Sequence, residues 1–275
     1  MDLKTFQEQV FFSTVRITIP HKSGEGASIG TGFIFLAPLK DPENRSVTLL
    51  ISNKHVYIDP AQSIILNFTK RDSNDPTRPL LGQTTTLQAD HFHGVYTEHP
   101  NPEIDLACLN ISIITQPDHG IFYKNLYLDL LADYTEDKLL PGLEVWFVGY
   151  PENRFDTTHN LPILRRGYIA SVPKVDFNGK KQVVIDAQVF PGSSGSPVFA
   201  GLGGKFKLIG VVAETMIRHE QLQAVPAGVG IGVQQMLGLG IVLKSVLVKE
   251  LIDVATAKIL AELERAEPEP VAEIP

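Results

Sequence analysis

The chain has 275 residues, 43% hydrophobic and 20% charged, with a formal net charge of −7. That is enough material for one large all-β domain or two small ones with a core that needs no staples. The acidic balance argues against nucleic acid or an anionic membrane as a partner, and a single cysteine, Cys108, excludes any intrachain disulfide.

The N-terminus lacks the basic start and uninterrupted apolar run of a signal peptide, and the longest apolar stretches are too short to span a bilayer. Together with the missing disulfides this predicts a cytoplasmic protein acting on other proteins or on small molecules. Short β-rich runs punctuated by Gly, Pro, Asn and Asp predict strands at 10–19, 32–36, 47–52, 63–68, 106–114, 143–149, 167–172, 182–188, 197–200 and 206–213. The segment 70–79 reads as a loop, and strand-like runs on both sides argue against a linker between independent domains.

From Ser245 the period changes. Val246, Leu247, Leu251, Ile252, Val254, Ala255, Ile259, Leu260 and Leu263 recur at helical spacing, with Ser245 as the expected N-cap. The apolar stripe predicts docking on the barrel, with contact to a partner chain as the alternative. Glu267-Pro268-Glu269-Pro270 cannot stay helical, so 266–275 is expected to be a disordered acidic tail.

Three segments carry candidate chemistry. Phe190-Pro191-Gly192-Ser193-Ser194-Gly195-Ser196-Pro197 brackets serines with glycines at a turn that leads into an apolar strand. Glycine there permits backbone conformations that aim successive N–H groups at one point, although an ordinary Gly/Ser turn has the same composition. A serine hydroxyl needs a base, and the base needs an orienting partner. His55 follows an apolar strand in Leu50-Ile51-Ser52-Asn53-Lys54-His55-Val56, and Asp105 heads another in Glu103-Ile104-Asp105-Leu106-Ala107.

Taken together these segments resemble the chymotrypsin-like (trypsin-fold) serine peptidases, especially their Deg/Htr-type bacterial branch. Gly30-Thr31-Gly32-Phe33-Ile34 is similar to the strand before the family's histidine, Ser52-Asn53-Lys54-His55-Val56 to Thr-Asn-x-His-Val, Asp105-Leu106-Ala107 to Asp-[Ile/Leu]-Ala, and Gly192-Ser193-Ser194-Gly195-Ser196-Pro197 to Gly-[Asp/Asn]-Ser-Gly-Gly-Pro. Chain order is His, Asp, Ser, as in chymotrypsin and unlike subtilisin or the α/β-hydrolases. Further similarity runs over about residues 10–255, through Gly149-Tyr150-Pro151, Gly167-Tyr168-Ile169-Ala170-Ser171, Ile185-Asp186-Ala187 and 240–245.

The resemblance implies an all-β fold of two six-stranded antiparallel β-barrels with a C-terminal α-helix. It divides the chain into a peptidase domain at 1–265, with subdomains at about 10–125 and 126–244 and the helix at 245–265, followed by the tail. It implies a serine endopeptidase with Ser194 as nucleophile, His55 as general base, Asp105 as orienting acid and the N–H groups of Gly192 and Ser194 as oxyanion hole. No cofactor or metal is implied, and the expected partner is a protein or peptide substrate, with a regulatory protein or a further copy of the chain as additional partners.

Ser193 replaces the acid that pairs with a new N-terminus in trypsin, so zymogen activation of that kind is not expected. Gln188 stands where trypsin carries its pocket-floor acid, with Val189, Phe190, Val212, Ala213 and Glu214 on the walls, which points to an apolar or small residue before the cut. No PDZ-type peptide-binding module is recognisable after the helix, a departure from Deg/Htr proteins. Cys108 reads as a core thiol, Glu103 as a shifted-register alternative that fits the motif less well than Asp105, and His91, His93 and His99 as a solvated loop rather than a metal site. The rival function is a catalytically silent trypsin-fold binding module.

Overall fold

Alternating apolar and polar residues give antiparallel strands in the computed structural model, which describes residues 2–224 and 229–266. The expected disordered tail lies, from Glu267 on, outside the described residues. The first half contains a short helix α1 (Phe6–Val10), strands β1 (Thr14–Pro20), β2 (Ala27–Pro38) and β3 (Ser46–Ser52), and a one-turn helix α2 (Lys54–Tyr57). It continues through β4 (Ile64–Arg71), β5 (Pro79–Ala89), β6 (Tyr96–Glu98), β7 (Ala107–Asn110) and β8 (Ile121–Phe122). The second half holds β9 (Glu144–Gly149), β10 (Ile163–Ile169), β11 (Gln182–Asp186), β12 (Pro197–Leu202), β13 (Lys205–Ala224), β14 (Val229–Lys244) and the helix α3 (Ser245–Ala266).

The second half closes as the expected six-stranded antiparallel barrel, in the order β10-β11-β14-β13-β12-β9. In the first half the strands form an eight-stranded sheet, ordered β5-β4-β1-β2-β3-β7-β6 with β8 paired to β4. The members without a counterpart among the expected strands are β5, mostly exposed and polar along its length, the three-residue β6 and the two-residue β8. None has the apolar alternation by which a half-buried strand is read from sequence.

Each half has its own core. Ile17, Ile34, Leu50 and Tyr57 pack inside the first, and Phe147, Ile185, Val198 and Val212 inside the barrel. A third cluster fills the seam, joining Phe33, Leu49 and Cys108 of the first half to Phe199, Leu208 and Leu243 of the second. Leu247, Val248, Leu251, Ile252, Ala255 and Ile259 of α3 lie in that cluster, so the stripe docks the helix across both halves. Val246, placed on the stripe by periodicity, is instead exposed. Ser245 is the first helical residue rather than a cap, and its hydroxyl donates to Ala132 O at 2.9 Å, pinning the helix start to the connector between the halves.

Candidate active site

Asn53, at the end of β3, is the reason His55 points where it does. Its side-chain Nδ2 donates to Asp105 O at 2.8 Å instead of capping α2, so the helix bearing His55 is tied to the segment bearing Asp105. Asp105 precedes β7 and grips the histidine twice. Oδ1 accepts the His55 backbone N–H at 3.0 Å, and Oδ2 lies 2.5 Å from His55 Nδ1. An ionised carboxylate only accepts, which assigns the ring proton to Nδ1 and leaves Nε2 as the bare, basic nitrogen. The two side chains are 51% and 34% exposed, respectively. Glu103, the shifted-register alternative, is exposed and uses its N–H on Asn101 Oδ1; the acid that meets His55 is Asp105.

Ser194 lies in the turn between β11 and β12, and its geometry is set by the backbone. Gly192 and Gly195 both have positive φ, +85° and +84°, which L side chains rarely adopt. A Cβ at Gly192 would meet Tyr150 O at 2.4 Å, and one at Gly195 would meet Thr31 O at 1.9 Å. The turn is closed by Ser193 N–H to Phe190 O, Ser196 N–H to Ser193 O and Gly195 N–H to Val212 O, at 3.0, 3.0 and 2.9 Å. Gly192 and Ser194 are then the two residues of 192–196 whose backbone N–H has no partner among the described residues. Their direction follows from peptide planarity. The carbonyl of the Pro191–Gly192 unit accepts Glu152 N–H at 2.6 Å, and that of the Ser193–Ser194 unit accepts Ser196 N–H. In a trans peptide the N–H points opposite to such an engaged carbonyl.

Thr31 of β2 joins the two halves. Its N–H donates to Ser194 O at 2.9 Å, and its hydroxyl donates to Gly192 O at 2.8 Å while accepting Tyr150 N–H at 3.1 Å. Ser52 Oγ donates to Thr31 O at 2.6 Å, tying the strand before His55 into the same network. In the sequence Gly30-Thr31-Gly32 carries a family similarity, and its local signal is a polar residue between two glycines on an otherwise apolar strand. The side-chain hydrogen bond of Ser194 runs to Ala213 O at 3.4 Å, and none joins it to His55.

Of the expected specificity residues, Val189, Val212 and Ala213 are buried, Phe190 is half-buried, and Gln188 and Glu214 are exposed. Thr215, not singled out from sequence, bridges the two walls through its hydroxyl, which donates to Val189 O at 2.6 Å. Cys108 is buried in the seam cluster, which pushes its thiol up to about 12. His91 and His93 are exposed as expected, whereas His99 is buried, a correction to the solvated-loop reading. Among the described residues no three His, Cys, Asp or Glu side chains gather in a way that would hold a metal, and no helix is long and apolar enough to cross a membrane.

Comparison with curated proteins finds no match. Among solved structures, the chain is similar to the active form of the Rv3671c protease from M. tuberculosis, at 17% identity over 89% of this chain and 81% of that one, with a TM-score of 0.45. The family model described as the trypsin-like peptidase domain matches residues 30–211, from the glycine pair of β2 through the Ser194 turn to β13. This span takes in His55, Asp105 and Ser194, and the chain belongs to the trypsin-like peptidase domain family.

Proposed function

We propose that this chain is a serine endopeptidase that cleaves peptide bonds through an acyl-enzyme on Ser194. The observation that carries the reading is the 2.5 Å contact of His55 Nδ1 with Asp105, which leaves Nε2 as a base, while Ser52, three residues before His55, is bonded to the same Thr31 that holds the Ser194 turn. In this reading Nε2 takes the Ser194 proton as Oγ attacks the scissile carbonyl, then delivers it to the leaving amine. Asp105 holds the tautomer and stabilises the imidazolium. The free N–H groups of Gly192 and Ser194 receive the oxyanion, each contributing about 2.7–4 kcal/mol in the transition state. The long bond from Ser194 Oγ to Ala213 O is weak enough to be exchanged for one to His55 when substrate docks, as catalytic hydrogen bonds often tighten only in the complex.

Buried Val189 and Ala213, with the half-buried Phe190 ring, support a small or apolar residue before the cut. A free, buried Cys108 accords with a cytoplasmic, reducing setting. The rival reading, a silent binding module, draws on one observation, the absence of a Ser194–His55 hydrogen bond. Incubation of the purified full chain with an unfolded protein such as casein, followed by mass spectrometry of the fragments, separates the two. Endopeptidase action yields internal cleavages that vanish in Ser194→Ala. Identical fragment patterns from both proteins, or none from either, count against it.

A further inference from the structure

Under the loop that carries Asp105 lies a histidine that the proposed reaction does not use. His99 follows β6, is 4% exposed, and donates its backbone N–H to Leu106 O at 2.9 Å, closing the base of the loop. Its ring faces two elements. Nδ1 accepts the backbone N–H of Asn101 at 3.1 Å, while Asn101 Oδ1 and O accept the N–H groups of Glu103 and Ile104 at 3.0 and 3.1 Å. Because an amide N–H only donates, Nδ1 is the bare nitrogen and the ring proton sits on Nε2. That N–H lies 3.3 Å from Glu250 Oε2 of α3, a charge–dipole contact while the ring is neutral and short of hydrogen-bond alignment. Glu250 also pairs with Lys181, beside β11, at 2.7 Å. Lys258 of α3 donates to Tyr96 O at 3.0 Å, and Lys54, next to His55, donates to Pro102 O at 2.9 Å.

We infer that His99 is a positioning residue: with Glu250 it ties the 99–105 loop to the C-terminal helix and thereby fixes Asp105 against His55. The catalytic consequence rests on the serine-peptidase reading; the positioning itself does not. It also has a pH sign. A doubly protonated ring cannot accept the Asn101 N–H, so protonation opens the turn above which Asp105 sits. The charged groups facing the ring oppose each other, Glu250 from α3 favouring the proton and Lys181, just before β11, disfavouring it. Burial is the larger influence and holds His99 below the ordinary histidine value of 6.5. A base depressed on folding is proton-poor in the native state. Its contribution to stability is therefore complete above 6.5 and is lost as the pH falls through the lower native value.

The test is nitrogen-edited NMR of the histidine-labelled full chain, carried in a Ser194→Ala background so that the readout does not need turnover. The reporter is the His55 Nδ1–H engaged with Asp105. His99→Ala and Glu250→Gln should both move it at neutral pH, and Glu250→Gln, at a half-exposed position, guards against a failure of His99→Ala to fold. His99→Asn, whose Oδ1 can accept the same Asn101 N–H without titrating, should leave it closer to the parent. With Ser194 restored, Glu250→Gln should lower kcat by about 10- to 100-fold with KM little changed. The acid limb of kcat/KM should be steeper in the parent than in His99→Asn. A His55 Nδ1–H signal unmoved in Glu250→Gln overturns the inference whatever the activity. A moved signal in a chain that cleaves nothing supports the positioning and counts against the peptidase reading alone.

Discussion

The first half of the molecule brings to the candidate site side chains aligned by side-chain hydrogen bonds, whereas the second brings a serine whose position is set by backbone. His55 and Asp105 stand on a one-turn helix and a pre-strand loop, partly exposed and aligned by side-chain hydrogen bonds from Asn53 and to each other. Ser194 stands on a turn whose shape depends on two positive-φ glycines and on carbonyls engaged by Glu152, Ser196 and Thr31. The difference teaches that the two halves fail differently. On the first side the chemistry depends on which atoms are present, so an isosteric exchange can remove function and keep the fold. On the second it depends on an atom being absent, the Cβ of Gly192 or Gly195, so the smallest addition disturbs both.

The largest expected effect tests the first half of that contrast. Asp105→Asn keeps the shape but turns an amide N–H toward His55 Nδ1 and favours the wrong tautomer, so kcat should fall about 10⁴-fold. Thermal unfolding should stay near the parent; a large loss of stability would break the contrast. Next is Gly192→Ala, whose Cβ would sit 2.4 Å from Tyr150 O. Shifting one oxyanion donor should lower kcat by about 10²- to 10³-fold in steady-state kinetics, with unfolding at lower denaturant as well. Activity kept at the parental level would show that this N–H does no catalytic service. Thr31→Val is the sharpest probe of the seam, because it strands the half-buried Gly192 carbonyl and the buried Tyr150 N–H. Urea unfolding should report a loss of about 1–3 kcal/mol, and a smaller change would mean that backbone closure alone holds the turn. Smallest is the exposed pair of Lys249 and Asp253 on α3. Lys249→Ala should change stability by at most about 0.5 kcal/mol, marking the scale against which seam effects are judged.

What was legible in the sequence follows from how far apart the interacting residues lie. Gly192, Ser194 and Gly195 were readable because a tight turn is written in neighbouring residues, and His55 and Asp105 because each borders an apolar strand. Thr31 was not, since its contact to Gly192 spans 161 positions and no local pattern encodes it. The same holds for His99, whose neighbours Asn101 and Glu250 come from the turn itself and from the last helix; an imidazole followed by Pro100, Asn101 and Pro102 resembles a solvated loop until α3 covers it. β5 is not legible in the sequence because its exposed, threonine-rich surface has no buried face to alternate against. β13 and β14 pair from Gly210–Lys244 outward to Ala224–Val229, well beyond the apolar runs expected at 206–213 and 240–245. There backbone hydrogen bonding continues where the apolar signal stops.

The central proposal is that Ser194 is the nucleophile of an acyl-transfer site. It is tested most directly by reacting the purified chain with a fluorophosphonate and locating the adduct by peptide mass mapping. The account predicts one adduct per chain, on Ser194, lost in Ser194→Ala and strongly slowed in Asp105→Asn. An unlabelled parent, in purified form and in cell extract alike, or equal labelling of parent and Ser194→Ala, would contradict it.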